Sequence, residues 1–238
     1  MNRIIRLASA CVREALFPAG CGICQGALIH PEEAWYGLCS ACAASLKLED
    51  APRCCICGRP LISEFTRCFA CRSGRSPGYD RSYAIYPYIG RYRKLLAAYK
   101  FNAYRAVGNF LAENLIAGCA QLGLPVWDIP WVPVPPRPGK IKAIGWDQVA
   151  ELGRVLQKRH GVSVVSCLKR LPSRSQKELD RESRRINLRG RILCQGPAPR
   201  RALLFDDVIT TGSTLDACAQ SLKAAGTQEV YALSLFYD

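Results

Sequence analysis

Long apolar runs, histidine and acidic residues are all scarce in this sequence. No apolar run approaches the roughly 18 residues of a membrane helix, which excludes a membrane-spanning protein. The two histidines, His30 and His160, leave no obvious general base for catalysis. Acidic residues number 19 against 33 lysines and arginines, so the formal net charge is +14. The hydrophobic fraction of 49% over 238 residues indicates a globular protein of one or two domains.

Two common phosphate-binding patterns are also missing. The sequence has neither a GxxxxGK[ST] loop nor a GxGxxG loop, which argues against a nucleoside triphosphatase and a Rossmann dinucleotide site. A secretion signal is not expected either, because residues 7–12 form an uncharged stretch of only six residues. We interpret residues 2–17 as an amphipathic helix and expect a cytoplasmic protein, where cysteine pairs are more often metal ligands than disulfides.

The positive charge is concentrated in one segment. Residues 169–201 contain eleven Lys or Arg and three Asp or Glu, a local charge of +8. Such a segment favours phosphate groups, on a nucleic acid or on a small ligand. The alternative is a solvated basic helix face with no ligand.

The breaker-rich residues 72–78 predict a linker between two domains, residues 1–75 and 76–238. The second domain alternates strand and helix patterns, which predicts an α/β fold with a mainly parallel sheet flanked by helices. The strands are expected at 83–88, 131–135, 162–168, 201–209 and 230–236, and the helices at 91–99, 110–122, 148–160 and 213–225.

Ten of the 14 cysteines precede residue 72, and eight of them form four CxxC pairs. The pattern predicts a double zinc ribbon with two structural Zn²⁺ ions, since two CxxC turns supply the four thiolates of one tetrahedral site. Pairing in sequence order is preferred, an interleaved pairing is the alternative, and Cys54 is preferred to Cys55 for its spacing. Buried free thiols and a disulfide framework are less favoured interpretations of the same pattern. The predicted ligands are Cys21, Cys24, Cys39, Cys42, Cys54, Cys57, Cys68 and Cys71.

Residues 202–215 carry the most informative pattern. An apolar strand runs into Asp206 and Asp207, and a loop of threonine, glycine and serine then leads into a helix. Backbone N–H groups at a helix start can surround a phosphate, and Gly212 permits a close approach of the backbone. Carboxylates accept hydrogen bonds from sugar hydroxyls. The segment therefore predicts a site for a sugar phosphate.

This loop resembles the phosphoribosyl-pyrophosphate (PRPP) motif of type I phosphoribosyltransferases. With the cysteine pattern, the whole chain is similar to the ComF/GntX family, in which a zinc-ribbon module precedes a phosphoribosyltransferase domain. Residues 132–135, 145–148 and 169–188 match three further family segments. Ile144, Asp147 and Ser175 stand where the family usually has arginine, asparagine and threonine, and Arg137, Lys140 or Lys142 could supply the missing charge.

The resemblance implies a set of site residues. Asp206, Asp207 and Lys169 would be catalytic, the 135–142 loop with Mg²⁺ would hold pyrophosphate, and residues 169–189 would close as a lid. The implied PRPP contacts are Asp206, Asp207, Val208, Thr210, Thr211, Gly212, Ser213, Thr214 and Arg137.

Two functions are compatible with this resemblance. In the first, the protein is a transferase that displaces pyrophosphate from PRPP, or binds PRPP or ribose 5-phosphate, with a role in competence and DNA uptake; its acceptor is not named by the sequence. In the second, it is a non-catalytic basic zinc-ribbon protein that binds single-stranded DNA or a competence helicase, with Trp146, Tyr92 and Tyr104 as candidate base-stacking residues.

Overall fold

The computed structural model describes residues 20–47, 51–61, 66–72, 77–172 and 190–238. The predicted helix at 2–17, most of the predicted linker and residues 173–189 of the predicted lid lie outside these ranges. Within them, no helix combines the length and the apolar composition needed to cross a bilayer.

The strands form one parallel sheet and one small antiparallel pair. The parallel sheet has the order β1-β6-β5-β2, and β3 pairs with β4 beside it. The strands are β1 (Arg81–Pro87), β2 (Trp131–Pro133), β3 (Leu168–Arg170), β4 (Ile192–Cys194), β5 (Arg201–Ile209) and β6 (Glu229–Tyr237).

Three short helices lie in the cysteine-rich region and five follow it in the described ranges. The short ones are α1 (Pro31–Tyr36), α2 (Ser40–Ala44) and α3 (Phe69–Arg72). The later ones are α4 (Gly90–Lys100), α5 (Val107–Gln121), α6 (Lys140–Ile144), α7 (Gln148–His160) and α8 (Ser213–Ala224).

The parallel sheet is covered on both faces. Leu203 and Phe205 of β5 pack with α4, α5 and α7, whereas Ala202 and Leu204 pack with α8 and β4. All four side chains are fully buried, which explains why residues 202–205 of β5 are continuously apolar instead of alternating. The predicted fold class, a mainly parallel α/β sheet flanked by helices, is confirmed.

The predicted strand at 162–168 differs from the structure. In the described part of the chain, only one bridge joins this segment to the sheet, between Val164 and Trp131. The N–H of Trp131 donates to the Ser163 carbonyl, and the N–H of Val165 donates to the Trp131 carbonyl. Because β2 has only three residues, a neighbouring strand on this side can form only a few backbone hydrogen bonds with it. The β-branched run correctly indicated that Val162 is buried, but it overstated how many residues of this segment pair with the sheet.

The cysteine-rich region packs directly on the α/β part. Cys21, Leu38 and Leu46 join the same buried cluster as Leu95 and Leu111. Residues 51–61 lie against β1, where the Arg53 guanidinium donates to the Ala84 carbonyl at 2.6 Å. Both pieces of the cysteine-rich region therefore use the α/β part to complete their packing.

The backbones of the two parts approach each other closely at Gly58. Its φ is +70°, and a Cβ atom there would lie 2.5 Å from the Ala84 nitrogen. We expect Gly58→Ala to lower the free energy of unfolding by about 2–4 kcal/mol, through left-handed strain and displacement of β1. Urea unfolding measures this.

Gly26→Ala is the matched control, since its Cβ would meet only the Cys24 sulfur at 3.4 Å and its φ is not positive. Equal stability of the two variants would contradict the proposed role of the Gly58 contact.

Candidate functional site

The eight CxxC cysteines form two groups of four. Within each group the sulfurs all lie within 4.8 Å of one another, and each group joins two pairs that are consecutive in the sequence. The Cys24 and Cys39 sulfurs are 3.8 Å apart, and those of Cys57 and Cys68 are 3.7 Å apart. A tetrahedron with Zn–S bonds of about 2.3 Å has edges of about 3.8 Å. Both groups therefore fit Zn²⁺, in the sequence-order pairing and with Cys54 in place of Cys55.

A buried carboxylate holds the first group together. Glu33 accepts hydrogen bonds from the backbone and hydroxyl of Ser40, next to Cys39, and from the N–H groups of Ile29 and His30. These bonds, those from Ser40 foremost, lower the pKa of Glu33 to about 2. Glu33 thus ties the segment after the first CxxC pair to the start of the second. No pattern in the sequence marks it for this role.

A cleft of about 680 Å³ opens at the carboxyl ends of β2 and β5. This is the edge where open parallel α/β sheets bind ligands. Residues 206–215 and 134–137 line the cleft, and Lys100, Lys140 and Arg170 also contribute to its lining. All of the predicted PRPP contacts line this cleft, namely Asp206, Asp207, Val208, Thr210, Thr211, Gly212, Ser213, Thr214 and Arg137.

The two carboxylates near the carboxyl end of β5 have different environments. The Lys100 ammonium lies 2.7 Å from Asp207 Oδ2. Burial acts to raise the pKa of Asp207, but the charge and hydrogen bond of Lys100, together with Lys140 and a hydrogen bond with Asp206, lower it overall. Burial and the neighbouring Asp207 raise the pKa of Asp206 well above its ordinary value. The pair therefore carries one stabilised and one destabilised negative charge.

The predicted phosphate loop caps α8. Gly212 has a φ of +74° and is the N-cap residue, so the first N–H groups of α8 lie next to the loop. The hydroxyls of Thr211 and Ser213 are 2.8 Å apart, and the N–H of Ser213 is oriented towards the Thr211 hydroxyl at 3.4 Å. The loop offers hydroxyl and backbone donors at the positive end of a 12-residue helix, an arrangement suited to an anion.

Positive side chains surround the rest of the cleft. Arg170 is only 8% exposed, and its Nε has no hydrogen-bond partner in the described part of the chain. Burial, together with the nearby Arg137, lowers the pKa of Arg170. Lys140 is 3.6 Å from Asp147, which also caps α7 by accepting from the Val149 N–H. The Arg170 guanidinium at the cleft adds positive charge that favours an anionic ligand.

The basic residues that approach the cleft are not all those predicted from the sequence. Lys169, predicted as catalytic, is exposed on β3 and is not part of the cleft lining, whereas its neighbour Arg170 is. Alternation along the strand explains this, because consecutive side chains point to opposite faces. Lys100 was missed, since a lysine at the end of a helix carries no distinguishing pattern.

One predicted base-stacking residue is buried. Trp146 is 7% exposed and packs edge-on against Tyr99, with ring centroids 5.0 Å apart. Tyr92 stacks on Tyr86 at 4.9 Å. These rings stabilise the protein interior, so Trp146 in particular is not available as a platform for a nucleotide base.

The raised pKa of Asp206 implies that its ionised form destabilises the folded protein. An acid with a raised pKa in the folded state loses stability as the pH rises through the interval between its unfolded and folded pKa values. We expect Asp206→Asn to raise the thermal midpoint at pH 7 by about 2–4 °C, and this gain to shrink towards pH 4. Calorimetric scans over this pH range test it. Asp128→Asn, an exposed control, should leave the midpoint unchanged.

Two known proteins are similar to this chain over most of its length, although no family model matches it. It is 30% identical over 206 residues to competence protein F of Haemophilus influenzae, covering 82% of this chain and 87% of that protein. It is 25% identical over 201 residues to competence protein ComFC of Streptococcus pneumoniae, covering 83% and 86%. With this similarity over most of both lengths, and with two Cys₄ groups beside a parallel α/β sheet, the chain belongs to the ComF/GntX family.

Proposed function

We propose that this protein binds PRPP in the cleft and serves in competence, the process that names its relatives. The observation that supports the proposal is that three kinds of group line one cleft. They are the acidic pair Asp206 and Asp207, the donor-rich loop 210–214, and the cationic side chains of Arg137, Lys140 and Arg170. A phosphorylated sugar with a second anionic group would use all three.

The loop would hold the 5′-phosphate. Its hydroxyls and the N–H groups at the start of α8 are hydrogen-bond donors, and the helix dipole adds a favourable field for the negative charge. Gly212 has no side chain, which leaves the backbone accessible to a phosphate oxygen.

The acidic pair would hold the ribose hydroxyls. Asp207 already has a partner in Lys100, so it stays ionised and can accept from a hydroxyl with its remaining lone pairs. Asp206 is half-buried and has a raised pKa, so a hydroxyl donor that stabilises its ionised form would be favoured.

The cationic side would hold the pyrophosphate. Arg170 lines the cleft, and Lys140 and Arg137 extend the positive charge along residues 135–140. Mg²⁺ entering with PRPP would neutralise part of the pyrophosphate charge. Whether the bound ligand is turned over depends on an acceptor, and pyrophosphate release with candidate nitrogen acceptors is the assay that decides it.

The role in competence is supported by the two relatives named above. The net charge of +14 also supports a phosphate-rich partner, of which single-stranded DNA is the proposed one, presented by a helicase of the uptake machinery. Binding to single-stranded DNA should weaken steeply as salt rises if this is correct.

Zinc in the two cysteine groups is the remaining part of the proposal. It would supply structural cross-links, which contribute roughly 10–16 kcal/mol in small zinc modules at neutral pH. We expect two Zn²⁺ per chain by elemental analysis, and one in either Cys24→Ser or Cys57→Ser. Cys55→Ser is the control, since Cys55 lies outside both groups and should leave the count at two. Protein purified without chelators that contains no zinc would contradict this.

The two halves of the PRPP site can be separated by using two ligands. Asp207→Asn should weaken both ribose 5-phosphate and PRPP by about ten- to a hundredfold, because a charged acceptor is lost. Arg170→Gln should weaken PRPP by a similar factor and leave ribose 5-phosphate within about twofold, since only PRPP carries pyrophosphate. Calorimetry with Mg²⁺ present measures both.

Asp128→Asn is the control for both ligands. No heat from PRPP at millimolar concentration, or equal losses for the two ligands in Arg170→Gln, would refute the assignment of the cleft.

A further inference from the structure

The second cysteine group contacts the phosphate loop through one side chain. Arg59 follows Cys57 by two residues, and its guanidinium Nη2 donates to the Thr210 carbonyl at 3.2 Å. The same Nη2 donates to the backbone oxygen of Asp238, which also lines the cleft. A residue from the cysteine-rich region therefore bonds directly to the backbone of the loop.

The backbone of Arg59 is itself fixed by the cysteine group. The N–H of Cys54 donates to the Arg59 carbonyl at 2.8 Å, and the N–H of Gly58 donates to the Cys54 carbonyl at 2.9 Å. Arg59 thus closes the turn that carries the first CxxC pair of this group. Its position depends on the same turn that carries Cys54 and Cys57, two of the proposed zinc ligands.

A second contact connects this region with the start of α8. The Gly78 N–H donates to Asp216 Oδ1 at 2.6 Å, in the first turn of α8. The hydroxyl of Tyr79 lies 3.2 Å from where a Cβ of Gly212 would be. The segment that follows the second cysteine group therefore packs on the loop at its glycine.

We propose that the second cysteine group, with its metal, sets the conformation of the phosphate loop, and that Arg59 is the positioning residue through which it acts. The C=O and N–H of one trans peptide unit point in opposite directions. A bond that fixes the Thr210 carbonyl therefore also fixes the direction of the Thr211 N–H, one of the donors offered to a phosphate. The consequence for ligand affinity rests on the proposed function, but the effect on the loop does not.

The first cysteine group provides a natural comparison. It packs on α5, where Asn109 donates to the Trp35 carbonyl and the Tyr36 hydroxyl donates to Glu113. Loss of a ligand from this group is expected to affect α5 and to leave the loop in place.

The primary test is hydrogen exchange of residues 206–216 in the ligand-free zinc protein. We expect Arg59→Ala to speed exchange there about tenfold, with little change elsewhere, and Arg59→Lys to restore much of the protection. Arg67→Ala is the control, because it removes an equal charge from an exposed position between the two CxxC pairs of the same group. Unchanged loop exchange in Arg59→Ala, or faster exchange spread evenly over the chain, would overturn the proposal.

The metal arm compares Cys57→Ser with Cys24→Ser. Faster exchange at 206–216 is expected in the first and not in the second; equal effects would count against the proposal. If Cys57→Ser does not fold, the Arg59 variants decide alone.

Calorimetry with ribose 5-phosphate separates this inference from the proposed function. Arg59→Ala is expected to weaken binding about tenfold, with Arg59→Lys intermediate. If wild type binds neither ribose 5-phosphate nor PRPP while loop exchange still depends on Arg59, the proposed function fails and the positioning role stands. If wild type binds, and Arg59→Ala neither weakens binding nor speeds loop exchange, the positioning role fails and the proposed function stands.

Discussion

The burial of β5 on both faces is the constraint on which the rest of the structure depends. A parallel strand that lies between two others and under helices on both sides can carry polar groups only where it ends. In this chain Asp206 and Asp207 lie within the last four residues of β5, and after Ile209 the chain turns back into α8 to reach β6. The carboxylates, the loop and the helix start are therefore adjacent, because the buried middle of the strand cannot accommodate polar groups.

The cysteine-rich region covers an exposed edge of the sheet and also completes its own packing there. The strand β1 lies at the edge of the parallel sheet, where unpaired backbone groups are open to other chains. Arg53 bonds to the Ala84 carbonyl, and the Ser82 hydroxyl bonds to the Ile56 carbonyl, so residues 51–61 cover part of this edge. In return, a region too small for a large core of its own gains the surface of the α/β part.

The sequence predicted what depends on local pattern and missed what depends on packing. The strand 201–209, the helix 148–160 and the grouping of the cysteines in order all follow from periodicity or spacing, and the structure agrees. Lys100 and Glu33 could not be found in this way, because their roles arise from side chains that meet only after folding. Lys169 and Arg170 are neighbours on β3, but only Arg170 lines the cleft. A run of basic residues in a sequence does not reveal which of them will face a cleft.

The ion pair between Lys100 and Asp207 has a consequence for selectivity. Lys100 acts as an internal counterion, so the ligand-free cleft does not need a cation from solution to balance Asp207. A neutral sugar would have to share Asp207 with this ammonium and would gain little by doing so. A sugar that also carries anionic oxygens can offer the ammonium a second partner, so that its charge is shared and not displaced. Under the proposed function, the cleft would therefore favour sugars that carry anionic groups over neutral sugars.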